Sequence, residues 1–345
     1  MRSALKILVL KSFLSFAVVG CGHIGKRHLA VITAAPSARL VAFCDTDREK
    51  IRQFTEQYPT ARAYTDYDTM VRETDAEVIC VCTPHALHSV MSIQAAAAGK
   101  HVLVEKPMAL TSVESQRMIE AANQHGVRLF VVKQNRYNHA IIAARRALLQ
   151  GQLGKVYLAQ CNVIWNRRAD YYDSSPWRGS RFLEGGALQT QVSHFIDLLI
   201  WWFGEVVQAR TVMDTLGHDI QIEDVGVSAL RFDSGVIGSL TWTTCAYREN
   251  YEGSILIVAE KGTVKIGGKY LNRIEYWDVD GVPRPGEAAV ADRPNDYGTY
   301  RGSSNNHDKL LDVLVAEFLE GRRGVVEGEE GMKTIRAIEK IYGAA

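Results

Sequence analysis

The hexapeptide Gly20-Cys21-Gly22-His23-Ile24-Gly25 fits G-x-G-x-x-G. It follows an apolar run and opens a helical pattern. In that context the glycines permit a tight turn and let backbone approach a pyrophosphate at a helix N-terminus. Asp45 ends the next apolar run, 20 residues after Gly25. A carboxylate there accepts hydrogen bonds from an adenosine ribose and repels a 2′-phosphate, which points to NAD rather than NADP. Glu105-Lys106-Pro107 follows the run His101–Val104. The proline keeps Lys106 out of helical backbone, so its side chain is held on a defined loop at the C-terminal end of a strand. Thr83, Pro84, His85 and His88, after the run Val78–Cys82, are placed on the cofactor side with Glu105, as is Asn135. His194 follows Gly185-Gly186 and leads into the apolar stretch Phe195–Phe203. It is a candidate acid–base group, although a core histidine would have the same local sequence. Residues 165–181 gather Arg167, Arg168, Arg178 and Arg181 with Trp165, Tyr171, Tyr172 and Trp177. Arginine forks bind phosphate and carboxylate, and aromatic faces pack on a base or sugar.

These groups need a scaffold. The first 135 residues alternate short apolar runs with helical patterns. Strands are predicted at Phe16–Gly20, Leu40–Cys44, Val78–Cys82, His101–Val104 and Leu129–Val132. Helices begin near Gly22, at Thr46 (with Glu49 in a capping box), and at Thr111 with Glu114; Gly99 and Gly126 end helices. This is the pattern of βαβ units and a doubly wound parallel sheet, an α/β Rossmann domain over 16–135. Residues 136–304 read differently: a helix to Gln150, then Lys155–Trp165, Val206–Met213, Val225–Phe232, Val236–Thr244, Ser254–Val258 and Thr263–Ile266 as strands. Several alternate apolar and polar, as a mostly antiparallel sheet with one covered face should. A helix near Gln189–Phe203 interrupts them, and 280–304 reads as loop. Over 305–345, helices near His307–Glu320 and Glu330–Tyr342 are expected to pack back on the rest.

Lys and Arg total 40 against 39 Asp and Glu, a net charge of +1. That balance argues against a nucleic-acid partner. None of the six cysteines makes a C-x-x-C pair. Buried thiols in a reducing cytoplasm are expected, with no metal. Lys6 and Lys11 interrupt the apolar start, so residues 1–15 read as a short extension rather than a signal peptide. No run reaches the ~18 apolar residues of a membrane span.

Taken together, the glycine turn, Glu105-Lys106-Pro107 and the Gly-Gly…His194 segment resemble the Gfo/Idh/MocA oxidoreductase family over the chain after residue 15. The resemblance implies a Rossmann domain for NAD, then an α+β domain with a large open, mostly antiparallel sheet. It implies catalytic roles for Lys106 and His194. KQNRYN at 133–138, DYYDSSPWRG at 170–179, EGSI at 252–255 and EKGTVKIGGKYLNRIEYWD at 260–278 are similar to the WlbA-type branch. That branch comprises UDP-N-acetylglucosaminuronic acid 3-dehydrogenases, which act on the way to diacetamido uronic acids of surface polysaccharides. The likeness implies a UDP-sugar acid as partner and oxidation of its 3-hydroxyl. Arg136, Arg167, Tyr171, Tyr172, Trp177, Arg178, Thr190 and Gln191 are the expected substrate contacts. Thr190 stands where the wider family has Asp, which leaves open what orients His194. Alternatives are a dehydrogenase of inositol or another sugar, and a non-catalytic dinucleotide-sensing regulator. A homo-oligomer, dimer or tetramer, is the family-based expectation.

Overall fold

The computed structural model describes residues 12–286, 293–296 and 300–343. The first unit comprises β1 (Leu14–Val19), α1 (His23–Ala34), β2 (Ala38–Cys44), α2 (Arg48–Gln57), β3 (Arg62–Tyr64), α3 (Tyr67–Glu73), β4 (Val78–Val81), α4 (His88–Ala97), β5 (His101–Val104), α5 (Ser112–Gln124) and β6 (Leu129–Val131). All pairings are parallel, in the order β3-β2-β1-β4-β5-β6. Strands β1 and β4 are buried along their whole length because helices cover both faces, hence their unbroken apolar sequences. The order reverses direction between β1 and β4, so a crevice opens at their C-terminal ends.

Next come α6 (His139–Leu149), β7 (Val156–Ile164), α7 (Ala169–Asp173), α8 (Ser193–Phe203), β8 (Val206–Asp214), β9 (Val225–Phe232), β10 (Ile237–Thr243), β11 (Glu252–Ala259), β12 (Gly262–Gly267) and β13 (Arg273–Val279). Seven strands form one sheet in the order β13-β12-β11-β7-β10-β9-β8, antiparallel except for β7 beside β10. Its inward residues, among them Cys161, Val163, Leu240, Trp242, Ile255 and Ile257, pack with α6 and α8 in one core. The other face is open: Val212 is 80% exposed. The expected fold class is the one observed. The chain closes with β14 (Pro294–Asp296), β15 (Arg301–Ser304), α9 (His307–Glu320) and α10 (Gly328–Tyr342). Helix α9 contributes Leu310, Leu311 and Leu314 to the Rossmann core, while α10 divides its apolar residues between both units. No helix among the described residues is long and apolar enough to cross a membrane.

Several local expectations change. Helix α2 is capped by Asp47, whose carboxylate accepts from Glu49 N and Lys50 N; the predicted Thr46–Glu49 box does not form. The Thr111–Glu114 box does. Strand β1 begins at Leu14, inside the predicted 1–15 extension, whose residues 1–11 lie outside the described ones. The short β3, α3 and β13 carry no strong pattern and were not expected. Segment 280–304 contains β14 and β15 rather than loop alone, and its residues 287–292 and 297–299 lie outside the described ones.

Candidate active site

Gly20 sits at φ +87°, and a Cβ there would come within 2.7 Å of the Cys82 carbonyl. A Cβ on Gly25 would collide with Gly20 O, so this glycine serves the packing of α1 on the turn and does not line the cavity. Gly22 is the N-cap of α1; it makes no side-chain cap, and nothing lies within 4 Å of its missing Cβ. The first N–H groups of α1 therefore face open space, a site for a pyrophosphate. Asp45 is held at the rim: Oδ2 accepts from Cys21 N at 2.7 Å and Oδ1 from Asp47 N at 2.9 Å. These features fit a dinucleotide. Gly20, Gly22, His23, Ile24 and Asp45 line a cavity of about 530 Å³ that runs on to Lys106, Thr190, Gln191 and His194. Thr83, Pro84, His85, His88 and Glu105 complete its Rossmann wall.

Within that wall, His88 is framework, its ring nitrogens 2.7 and 2.8 Å from Pro107 O and Thr83 O. His85 joins the two units: Nδ1 is 2.8 Å from Glu184 O, and its ring packs edgewise on Trp177 at 5.1 Å. Glu105 is buried and accepts from His28 Nε2 and His307 Nε2 at 2.9 and 3.3 Å; its other oxygen accepts from Lys106 N. It thus fixes the loop that carries Lys106. The Lys106 ammonium donates to Thr190 O at 2.6 Å. Burial, and after it the cations of Lys133 and Arg167, bring Lys106 down to about 8, against the pull of Glu105 and Glu184. Thr190 lies in a π-helical turn, Leu188–Val192, immediately before α8, and its own hydroxyl donates to Gly186 O. His194 begins α8. Burial, then Lys106 and Lys133, hold its pKa well below the usual histidine value, so the ring is neutral at physiological pH.

From the second unit, Arg167 is 1% exposed, and among the described residues its guanidinium donates only to neutral acceptors: Gln191 Oε1, Asn166 O and Asn250 Oδ1. Arg178 donates to Tyr171 O and Tyr300 OH, lies 4.0 Å above the Tyr171 ring, and leaves a buried Nε without a partner. Tyr171 and Trp177 also line the cavity. Three expected contacts do not reach it. Arg136 is bound bidentately by Asp197, at 2.8 and 2.9 Å, and pairs with Glu330. Tyr172 OH meets Thr244 Oγ1, and Asn135 Oδ1 accepts from Ser304 Oγ. All three are structural here. Trp165, one of the aromatics gathered with those arginines, lines the cavity as well, and Gln134, Tyr300, Gly302 and Ser303 line it and were missed. Gln134 adjoins the predicted Asn135, but the last three sit in the segment read as loop and carry no pattern.

Two family models cover most of the chain: an oxidoreductase family NAD-binding Rossmann fold matches residues 14–133, and a GFO/IDH/MocA C-terminal domain matches 141–265. The chain belongs to the Gfo/Idh/MocA oxidoreductase family. Among solved structures, it is similar to the WlbA dehydrogenase from Bordetella pertussis in complex with NADH and UDP-GlcNAcA. The two are 35% identical over 96% of both chains, with a TM-score of 0.86. The corresponding complex of the Chromobacterium violaceum WlbA dehydrogenase is 32% identical over 97% of this chain and 94% of that one, TM-score 0.87. A D-apiose dehydrogenase of Paraburkholderia graminis is 26% identical over 95% of this chain and 87% of its own length. The protein is thus an oxidoreductase of this family with NAD as cofactor.

The position of Asp45 yields a prediction about cofactor choice. A carboxylate at the ribose edge repels a 2′-phosphate. Asp45→Ser should narrow the preference for NAD over NADP. Dissociation constants for both dinucleotides check this, and a wild type that binds them equally would remove Asp45 from the ribose site.

Proposed function

We propose that the protein oxidises the 3-hydroxyl of UDP-N-acetylglucosaminuronic acid to the 3-keto sugar nucleotide, in the cytoplasm, as a step of surface polysaccharide biosynthesis. The observation that carries this reading is the pair Arg167 and Arg178, cavity-lining cations whose hydrogen bonds go only to neutral groups. Arg167 is buried and Arg178 half-buried, neither is hydrogen-bonded to a carboxylate among the described residues, and Glu184 acts on Arg178 only at longer range, so an anionic ligand supplies charge that the protein does not place on either fork. A diphosphate and a uronic carboxylate do so; a neutral inositol or simple sugar does not. The likeness to WlbA dehydrogenases that hold UDP-GlcNAcA supports the same substrate class. A dinucleotide sensor would have no need of Lys106 and His194 facing one cavity.

Bound NAD supplies the hydride acceptor. The neutral His194 takes the hydroxyl proton, since its lowered pKa leaves a lone pair available across physiological pH. The Lys106 ammonium donates a hydrogen bond to the reacting oxygen and stabilises its growing negative charge. Thr190 and Gln191 position the sugar, Gln191 through its bond to the Arg167 fork. The open face of the seven-stranded sheet, with Val212, Val227 and Ile237 exposed, is suited to a second copy of the chain, and light scattering should show a dimer or tetramer. Incubation with NAD and UDP-N-acetylglucosaminuronic acid, with the product identified by mass and NMR, tests the reaction. A 3-keto uronic acid is expected; an untouched nucleotide sugar beside an oxidised neutral polyol would overturn it.

A further inference from the structure

We infer that Ser303, anchored by Gln134, keeps His194 Nε2 bare and relays the substrate proton to it: as the Ser303 proton passes to Nε2, Oγ takes the proton of the reacting hydroxyl. The inference rests on His194 being the general base. No side-chain carboxylate is available four residues before His194, where Thr190 turns its hydroxyl to Gly186 O. Instead, three side chains from distant parts of the sequence form a chain. Gln134 Nε2, on the turn after β6, donates to Ser303 Oγ at 3.0 Å. Ser303 Oγ, on β15, lies 3.1 Å from His194 Nε2 at the start of α8. The three residues are 2%, 5% and 5% exposed, and all line the cavity.

The polarity of this chain follows from its donors. A serine hydroxyl has one proton to give. Because the Gln134 amide N–H donates into Ser303 Oγ, that proton is free for His194 Nε2. Nε2 then carries the lone pair, and the ring hydrogen sits on Nδ1. The charged groups around the ring are Lys106 and Lys133, which favour its neutral form, and Glu105 and Asp197, which oppose it. They set the charge of the imidazole but not which nitrogen is bare; the Ser303 hydroxyl does that.

A second observation ties the chain to ligand binding. Gln134 Oε1 is buried with no hydrogen-bond partner. Buried acceptors are rarely left unmet. A ligand O–H or N–H that reaches Oε1 satisfies it and holds the amide in the orientation that sends its N–H to Ser303. The reverse orientation would take the serine proton for Oε1, and His194 Nε2 would then have to be the donor. Filling the cavity therefore locks Nε2 as the nitrogen that receives the relayed proton.

The test uses the full-length protein with NAD and 15N-labelled histidine, the His194 signals being assigned with His194→Asn. The wild type should show a neutral ring with Nε2 unprotonated. In Ser303→Ala the signals should move toward the other tautomer, and the acid limb of the kcat/KM profile for UDP-N-acetylglucosaminuronic acid should shift to higher pH. The shift has that sign because the lost hydrogen bond favoured the unprotonated ring. Turnover should fall roughly 10- to 100-fold, as for a lost proton relay, with NAD affinity unchanged. Ser303→Thr keeps the hydroxyl and should restore tautomer and most of the turnover. Gln134→Met should reproduce the tautomer shift from the other end of the chain, so a folding defect confined to β15 variants leaves the question decided. A wild-type ring protonated on Nε2, or a tautomer and acid limb indifferent to Ser303→Ala, would overturn the inference. The spectra need no turnover, so they stand apart from the substrate assignment. Should His194→Asn retain full activity, the base assignment falls whatever the tautomer.

Discussion

Replacing His194 with Asn is expected to lower kcat by at least ~100-fold, the size of a lost, positioned acid–base group. Lys106→Ala should cost as much, since it removes the ammonium that shares the cavity wall with His194. NAD affinity should survive the His194 change, because the glycine turn, the α1 N-terminus and Asp45 belong to the other unit. The pH profile separates the roles of the two residues. With Lys106 held at about 8, kcat/KM for oxidation should fall as pH rises through that value, because the donating cation is lost. Had Lys106 been the base, the rate would rise through the same value. His194 stays neutral well below its ordinary pKa, so it places no limb between pH ~6.5 and Lys106. Steady-state rates of both variants, with NAD binding measured alongside, check this. Near-normal turnover in both would make His194 a core histidine and move the acid–base chemistry to other groups of the cavity; no turnover in the wild type with any sugar would favour the sensor alternative.

Arg178→Ala should raise the substrate KM about ten- to a hundredfold, the equivalent of the roughly 1.5–3 kcal/mol of a charge-assisted hydrogen bond to a partly desolvated anion. The side chain is held before any ligand arrives. Tyr171 lies under its plane, and Tyr171 O and Tyr300 OH each take one N–H of the fork, which leaves further guanidinium N–H groups for the ligand. Such a fork loses little entropy on binding. Arg178→Lys keeps the charge but loses the planar fork and the stacking, so it should also weaken binding. NAD affinity should hardly change in either. Substrate KM values unaltered in both variants would take Arg178 out of the site and leave Arg167 to carry the anion.

The part of the site legible in the sequence is the part built from local rules. The glycine turn needs close approach of backbone, Asp45 follows a strand end, and Lys106 precedes a proline; each is set within a few residues. Arg167 and Arg178 were also legible, since four arginines among aromatics are rare on a plain loop. What the sequence hid is what depends on distant partners. Arg136 carries the same charge as Arg178, but Asp197, 61 residues away, claims it. Ser303 and Tyr300 enter the cavity only because β15 crosses beside the turn after β6, a pairing with no periodic signature. The Thr46–Glu49 spacing was right for a capping box, yet Asp47 one residue on is the better acceptor and took the cap. In the sheets, strong patterns such as His101–Val104 and Val225–Phe232 were placed to the residue, whereas the three-residue β3 offered too little pattern to see.

A cavity that selects an acidic nucleotide sugar must rank three compounds by kcat/KM at saturating NAD: UDP-N-acetylglucosaminuronic acid, UDP-N-acetylglucosamine, which keeps the diphosphate but carries a C6 hydroxymethyl in place of the carboxylate, and inositol. The acid is expected first by at least ~10-fold over UDP-N-acetylglucosamine, with inositol lower still. Equal values for the two nucleotide sugars, or inositol as the preferred substrate, would contradict the proposed substrate.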